Sequence, residues 1–365
     1  MQFLYEALPM RVAFGQDYRQ HLVQEARHLE LKRVLVLSTE GREHLAHEVA
    51  EALGEASAGV YAKARMHVPV ETAHDAARFA VAVGADGCVA VGGGSAIGLG
   101  KAIALEFGTP IIALPTTYSG SEMTPVWGMT ADGVKKTGRD RRVLPRSVIY
   151  DPALTTSLPV ATSVTSGFNA LAHAVEALYA PDRTPIISLM AEEGARALTQ
   201  ALPQVGAHPL DLGHRAGALY GAWLCGVALG ATTMSLHHQL CHVLGGSFGL
   251  PHAETHTVLL PYVLAYNAPG APAALAALRR ATGAGEPATF LRDLAVRLGA
   301  PPSLAALGFS ASDVAHAVDL ALKKPYANPR PVTADGVSAI LSAAVNGDTP
   351  NAPTDRLAEK ESRPT

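Results

Sequence analysis

Gly87-Cys88-Val89-Ala90-Val91-Gly92-Gly93-Gly94-Ser95-Ala96-Ile97-Gly98-Leu99-Gly100-Lys101 is the stretch on which the reading of the fold turns. Its opening run of small and branched apolar residues, without polar alternation, suits a strand buried on both faces. The run passes into Gly92-Gly93-Gly94-Ser95 and then into helical spacing from Ile97 to Leu105. Glycines at such a turn let the backbone approach a ligand. The unpaired N–H groups and dipole of the helix start attract an anion such as a pyrophosphate. A tight turn would use the same glycines, and the pattern is not GxGxxG. The argument for a ligand therefore rests on the position of the turn, directly after a strand.

Working outward, Lys32-Arg33-Val34-Leu35-Val36-Leu37-Ser38-Thr39 reads as a second buried strand. It is followed by Gly41 to Gly54, with Leu45, Val49 and Leu53 at helical spacing. Val60 to Val68 reads as a strand, Thr72 to Val83 as a helix, and Pro110 to Leu114 as a further strand ending in Pro115-Thr116-Thr117. Val148-Ile149-Tyr150-Asp151-Pro152 closes the region. This alternation predicts a parallel sheet covered on both faces. The polar loop from Pro115 to Glu122 is a second strand end, and two such ends are what a dinucleotide crevice at the carboxyl edge requires. Gly93, Gly94, Ser95, Thr116, Thr117 and Ser121 are the candidate cofactor contacts, with Ser38 at the strand end where ribose hydroxyls are met. Ser38-Thr39 carries no acid to repel a 2′-phosphate, and Arg42 is near, so NADH and NADPH are both expected to serve.

Past Pro152 and Pro159 the texture changes. From Ser163 to about Val345 the chain is rich in Ala and Leu at helical spacing, with breaks expected at Pro181, Pro203, Pro251, Pro261, Pro269 and Pro301. The organisation expected is an α/β dinucleotide-binding domain over 1–160, an all-α domain over 161–347, and a disordered tail over 348–365. Hydrophobic residues make up 48% of the 365, charged residues 17%, and the net charge is −3. That balance argues against nucleic-acid and anionic-membrane partners. No secretory start and no membrane-length apolar run is visible. Cys88, Cys225 and Cys241 are odd in number and lack metal-ligand spacing along the chain, so they read as free thiols of a cytoplasmic protein, Cys88 as plain core.

Five of the fifteen histidines, His237, His238, His242, His252 and His256, fall within twenty residues. His238 and His242 are four apart and share a helix face, as do Asn169 and His173. With His252 in the loop after Gly249-Leu250-Pro251, they suggest one pocket; scattered surface histidines are the alternative. His237 and His256 read as ordinary histidines. An aspartate at 169 would complete a divalent metal site, whereas the Asn169 amide oxygen is a weaker, uncharged ligand.

From Phe14 to Leu341 these segments resemble the iron-containing (group III) alcohol dehydrogenase family. The resemblance runs through Gly92–Lys101, Pro115–Thr124, Asp151–Pro159, Asn169–Tyr179 and His238–Pro261. It implies a dinucleotide-binding α/β domain joined to an all-α domain, a dehydroquinate synthase-like architecture, with the active site between them. The family's four metal ligands fall on Asn169, His173, His238 and His252, and its histidine near the nicotinamide on His242. Alcohol-oxidising members usually carry Asp where Asn169 stands, and Pro and Asp where Ala96 and Gly98 stand. The versions here, with Thr117–Pro125, Lys135–Gly138 and Val148–Pro152, are similar to the maleylacetate reductase branch.

That branch implies reduction of the carbon–carbon double bond of a dianionic substrate by NADH or NADPH, in a homodimer. With Asn169 present, no metal is expected. His173, His238, His242 and His252 are then expected to protonate near neutral pH beside the dianion. His242 and His252 are the expected catalytic contacts, with Tyr326 as proton donor; a plain exposed loop tyrosine is the other reading of that residue. Asn169, His173 and His238 are the expected substrate contacts. Lys136 and Arg139 either meet an anion or are simply solvated. The rivals are a metal-dependent alcohol dehydrogenase, a lyase on the same fold, and a silent binding protein.

Overall fold

The computed structural model of the chain describes residues 3–8, 10–131 and 134–351. The branched apolar runs become strands as expected: β1 (Arg11–Phe14), β2 (Val34–Leu37), β3 (Ser57–Tyr61), β4 (Gly87–Gly92) and β5 (Ile111–Pro115). A hairpin, β6 (Val126–Ala131) and β7 (Val134–Arg139), precedes the last strand, β8 (Ser147–Tyr150). All but the hairpin form one parallel sheet in the order β1-β8-β5-β4-β2-β3. Between them run α1 (Tyr18–His28), α2 (Glu43–Leu53), α3 (Val70–Ala82) and α4 (Gly94–Phe107).

Alternate side chains of the central strands explain why these runs carry no polar alternation. Val34, Val36, Val89, Val91, Ile112 and Leu114 pack on Leu22 of α1 and Ala46 and Val49 of α2. Leu35, Leu37 and Cys88 pack on Ala73, Ala76 and Ala80 of α3 and on Leu99 and Ile103 of α4. Both faces are dry, which is the condition for a parallel sheet. The chain leaves β2 towards β3 on one side and leaves β4 towards β5 on the other. The switch point therefore lies at the carboxyl ends of β2 and β4, where Thr39 and Gly92–Ser95 sit.

Beyond Val160 every element is helical: α5 (Val160–Tyr179), α6 (Pro185–Ala207), α7 (Leu212–Ala231), α8 (Leu236–Phe248), α9 (His252–Asn267), α10 (Pro272–Thr282), α11 (Pro287–Arg297), α12 (Val314–Ala321) and α13 (Ala334–Asn346). Helix α5 is the hub. Every residue from Ser163 to Tyr179 is buried, and α6, α7, α9 and α10 pack round it. One apolar cluster runs from Ile97, Ile111 and Val148 of the sheet layer into Leu171, Leu198 and Leu219 of the bundle. No single helix among the described residues is long and apolar enough to cross a membrane.

Four expectations need correction. The strand placed at Val60–Val68 is β3, Ser57–Tyr61, because its ladder partner β2 ends at Leu37, opposite Tyr61. Helix α4 starts at Gly94, three residues before Ile97. Pro203 and Pro261 do not break helices but lie inside α6 and α9. An interior proline costs about 3 kcal/mol, which burial of Leu259, Leu260, Tyr262 and Val263 outweighs at roughly 1.5–3 kcal/mol per large apolar side chain. The tail expected from Asp348 is anchored at its first residue, whose carbonyl accepts from Tyr262 Oη at 2.9 Å; residues 352–365 lie outside the described residues.

Candidate active site

At the switch point the Gly92–Ser95 turn becomes the amino end of α4. Gly93 is the capping residue, and no side chain caps the helix, so its first N–H groups are available to a ligand. Thr116 N donates to Gly92 O at 3.0 Å. A Cβ on Gly93 would come within 3.0 Å of Thr117 Oγ1, so glycine there lets the two loops close on each other. Gly94 is exposed, and a Cβ there would meet nothing within 4 Å. This is an open cradle of the kind a pyrophosphate fills. Gly94→Val should therefore leave the fold intact, since it clashes with nothing in the protein, and weaken NADH and NADPH alike by more than about tenfold. Fluorescence titration checks this; unchanged affinity would show that the turn holds no phosphate.

Ser95 and Thr117 are half-buried beside Gly94, and Thr116 is buried beneath them. Ser38 does not face the crevice, a correction to the ribose assignment. It is fully buried, and its hydroxyl donates to Val91 O at 3.0 Å, which ties β2 to β4. The half-buried Thr39 is the strand-end residue next in line. Arg42 is tied to Ser157 Oγ.

Buried polar pegs hold the second loop in place. Lys101 of α4 donates through Nζ to Ser121 O at 2.7 Å, Thr124 O at 2.8 Å and Val126 O at 2.7 Å. Ser121, expected to touch cofactor, thus has its carbonyl committed to this peg. Burial pushes the Lys101 amine down to about 7, against the pull of Glu122. Glu122 accepts from Tyr150 Oη at 2.8 Å. Arg215 of α7 is fully buried and donates to Ser163 Oγ at 2.7 Å, Tyr118 Oη at 3.2 Å and Leu158 O at 3.1 Å. It joins the loop, the start of α5 and the connection between the two halves.

The loop also reaches the histidines. Gly120 has φ 73°, and a Cβ there would lie 3.1 Å from Gly226 Cα and 3.4 Å from His173 Nδ1. The nucleotide crevice and the histidine chamber share this wall. Asn169, His173 and Glu176 follow at i, i+4 and i+7 and line one stripe of α5. His237, His238, Cys241 and His242 come from α8, and His252 and His256 from the first two turns of α9. His173 and His238 stack with ring centroids 5.2 Å apart. His256 lies 4.9 Å from His238 and 4.5 Å from His252. His242 is 6.3 Å from His238, and both His242 and His252 are exposed, so they rim a chamber whose floor is buried.

The structure thus brings together the Asn169, His173, His238, His242 and His252 expected from the sequence, and adds members that were missed. His237 and His256 are not ordinary: both are fully buried in the cluster, and His237 Nε2 is 2.9 Å from His256 Nδ1. His252 lies on a helix and not in a loop, so the four-residue spacing of His252 and His256 was the available signal. A carboxylate does lie behind the chamber, two turns beyond Asn169 on α5. Glu176 Oε2 lies 2.7 Å from His238 Nδ1 and accepts from Ser235 N at 2.8 Å, while Oε1 accepts from His237 N at 2.7 Å. Burial works against its ionisation, but these hydrogen bonds and the neighbouring histidines hold its carboxyl below the usual range.

His173 and His256 are neutral, contrary to the expectation for His173. Burial, then the neighbouring histidines, push His173 and His256 well below the ordinary imidazole value. Burial takes His237 to about 3, against the pull of Glu176. Asn169 Oδ1, His173 Nδ1, His238 Nε2 and His256 Nε2 are buried without a hydrogen-bond partner. Orphaned polar atoms on neighbouring residues mark a place completed by a ligand. Tyr326 is half-buried and not a plain exposed loop residue; its hydroxyl is buried without a partner. Burial and the Glu176 charge push it up to about 12, so it keeps its proton at neutral pH. The next residues hold it at the chamber: Ser235 Oγ donates to Ala327 O and, at 2.9 Å, to Asn328 Oδ1.

Two family descriptions match the chain: "Iron-containing alcohol dehydrogenase" over residues 9–152 and "Fe-containing alcohol dehydrogenase family, C-terminal" over residues 163–345. Among individual proteins, the maleylacetate reductase of Burkholderia cepacia is 54% identical, covering 96% of this chain and 99% of its own. That of Sphingobium indicum is 52% identical over the same shares. The crystal structure of maleylacetate reductase from Agrobacterium tumefaciens superposes with a TM-score of 0.93 at 51% identity, covering 96% of this chain and all of its own.

Proposed function

The chain belongs to the iron-containing alcohol dehydrogenase family, and from that premise we infer that its reaction is that of a maleylacetate reductase. It reduces the carbon–carbon double bond of 2-maleylacetate with NADH or NADPH, giving 3-oxoadipate in the degradation of aromatic compounds. The observation that carries this reading is an identity of 50–54% over 96% of the chain to several maleylacetate reductases.

The bound nicotinamide supplies a hydride to the alkene carbon β to the ketone. The chain's own residues do the rest. Gly93, Gly94 and the start of α4 hold the pyrophosphate, with Ser95 and Thr117 beside it. His242 and His252, at the rim, meet the carboxylates and the enolate oxygen on which charge develops, where a placed donor lowers the barrier most. Tyr326 holds the proton that the new carbanion carbon takes up. The buried His173, His238 and Asn169 shape the floor and turn their unpaired polar atoms to the substrate. The cytoplasm is the proposed compartment, in keeping with three buried free thiols. A homodimer is the proposed assembly, on the family resemblance; sedimentation as a monomer would refute it.

The family implies iron, and these residues do not fit it. Asn169, His173, His238 and His252 offer an amide oxygen and three imidazoles, with no charged ligand. Among the described residues, the group of three His, Cys, Asp or Glu side chains with ligand atoms within 4.8 Å of one another is His237, Cys241 and His256, not the family's histidines. We therefore propose that turnover uses no metal at the family's position. A conjugated enone is already polarised and needs less Lewis-acid help than an alcohol losing hydride. Mixing the protein with NADH and maleylacetate and following nicotinamide absorbance tests both claims. Consumption should be rapid and undiminished after exhaustive treatment with EDTA. Activity lost on chelation and restored by ferrous iron would favour the alcohol dehydrogenase reading. Asn169→Asp should lower kcat/KM for the dianion by about tenfold, the scale of a like charge roughly 4 Å away in a partly screened cleft. An unchanged value would remove Asn169 from the substrate's surroundings.

A further inference from the structure

We propose that His237, Cys241 and His256 form a buried site for a borderline divalent cation, zinc by preference, separate from the family's metal position. His237 and Cys241 are four apart on α8 and so share a face, and α9 packs His256 against them. All three are at most 1% exposed. Cys241 Sγ lies 3.6 Å from His237 Nε2, which lies 2.9 Å from His256 Nδ1. Around tetrahedral zinc, neighbouring nitrogen and sulfur ligands are about 3.6 Å apart and two nitrogens about 3.3 Å. The first edge matches, and the second needs the imidazoles to part by a few tenths of an ångström.

The chemistry of the set agrees with the geometry. Imidazole and thiolate are the ligands zinc selects. Binding breaks the Cys241 S–H bond and forms a sulfur–metal bond, the proton leaving to solvent, with no change of oxidation state. The thiolate supplies the negative charge that Asn169 cannot. Glu176, bonded to the backbone N–H of His237, brings a second negative charge, a carboxylate, close by. Three protein ligands leave one position for solvent or a small anion. A cation held this deeply exchanges slowly and would survive EDTA, so the site is compatible with turnover that needs no metal at the rim.

Protein produced in zinc- or cobalt-supplemented medium and desalted is the test. We expect about one metal per chain by elemental analysis and, in the cobalt form, a thiolate-to-metal charge-transfer band in the near ultraviolet. Cys241→Ser should remove the band, and Asn169→Ala should keep it. Zinc X-ray absorption of the wild-type protein should show one sulfur neighbour at about 2.3 Å, and this readout needs no variant to fold. Protein free of metal, a metal without a sulfur neighbour, or a band that survives Cys241→Ser would overturn the site. The trio would then be a hydrogen-bonded packing unit.

Discussion

Replacing His252 by alanine should lower turnover on maleylacetate by about 100-fold or more, the usual scale for a lost proton or electrostatic donor. Its position makes the loss one of chemistry and not of folding. His252 opens α9 at the exposed rim, and a polar surface side chain contributes little to stability. Melting temperature and NADH affinity should therefore stay near those of the wild type while kcat falls. His242→Ala, the other rim imidazole, should lose a similar factor. Near-normal rates in both variants would move the catalytic role to Tyr326, and Tyr326→Phe, which removes only the unpartnered hydroxyl, would then be decisive.

How legible an element is in the sequence depends on what buries it. β2, β4 and β5 are covered on both faces, so they survive in the sequence as unbroken branched runs that only a parallel sheet explains. β1 is a short edge strand with exposed ends, α1 is mostly polar, and the β6–β7 hairpin is largely open to solvent. Such elements leave no periodic apolar signature, and none was anticipated. Pro203 and Pro261 misled because helix breaking is a local rule, while both sit in helices whose stability comes from tertiary burial.

The site divides in the same way. His238 with His242, and Asn169 with His173, are legible because four-residue spacing on one helix needs no tertiary knowledge. His256 carried the same signal relative to His252, but that pair could be seen only by recognising Pro251 as the residue before a helix start. His237 and Glu176 share helix faces with Cys241 and His173, but their partners lie about twenty and about sixty residues away, and local spacing does not encode those contacts. Ser38 erred the other way. A polar strand end at a nucleotide crevice usually faces ribose, yet here its hydroxyl is spent on Val91 O, within the sheet.

Glu176 should be the residue that tolerates substitution least. Truncation to alanine strips the acceptor from Ser235 N, His237 N and His238 Nδ1 at once, in a place no water reaches. Each buried donor left unsatisfied costs about 1–3 kcal/mol. Three together approach the ~5–15 kcal/mol that holds a whole domain folded. Glu176→Ala is thus expected to be unfolded or barely stable. Glu176→Gln separates orientation from folding. One amide oxygen can still serve either Ser235 N and His238, or His237 N and Tyr179, but the NH2 group then faces the other pair. We expect this variant to fold with a lowered Tm, bind NADH normally because the nucleotide crevice is untouched, and turn over at least about tenfold more slowly. The last effect follows because a neutral amide, in either orientation, holds His238 less firmly from behind than the carboxylate does, and a fixed ring orientation is what such carboxylates supply. A glutamine variant with wild-type Tm and kcat would mean that the carboxylate neither anchors the α5–α8 contact nor sets the imidazole.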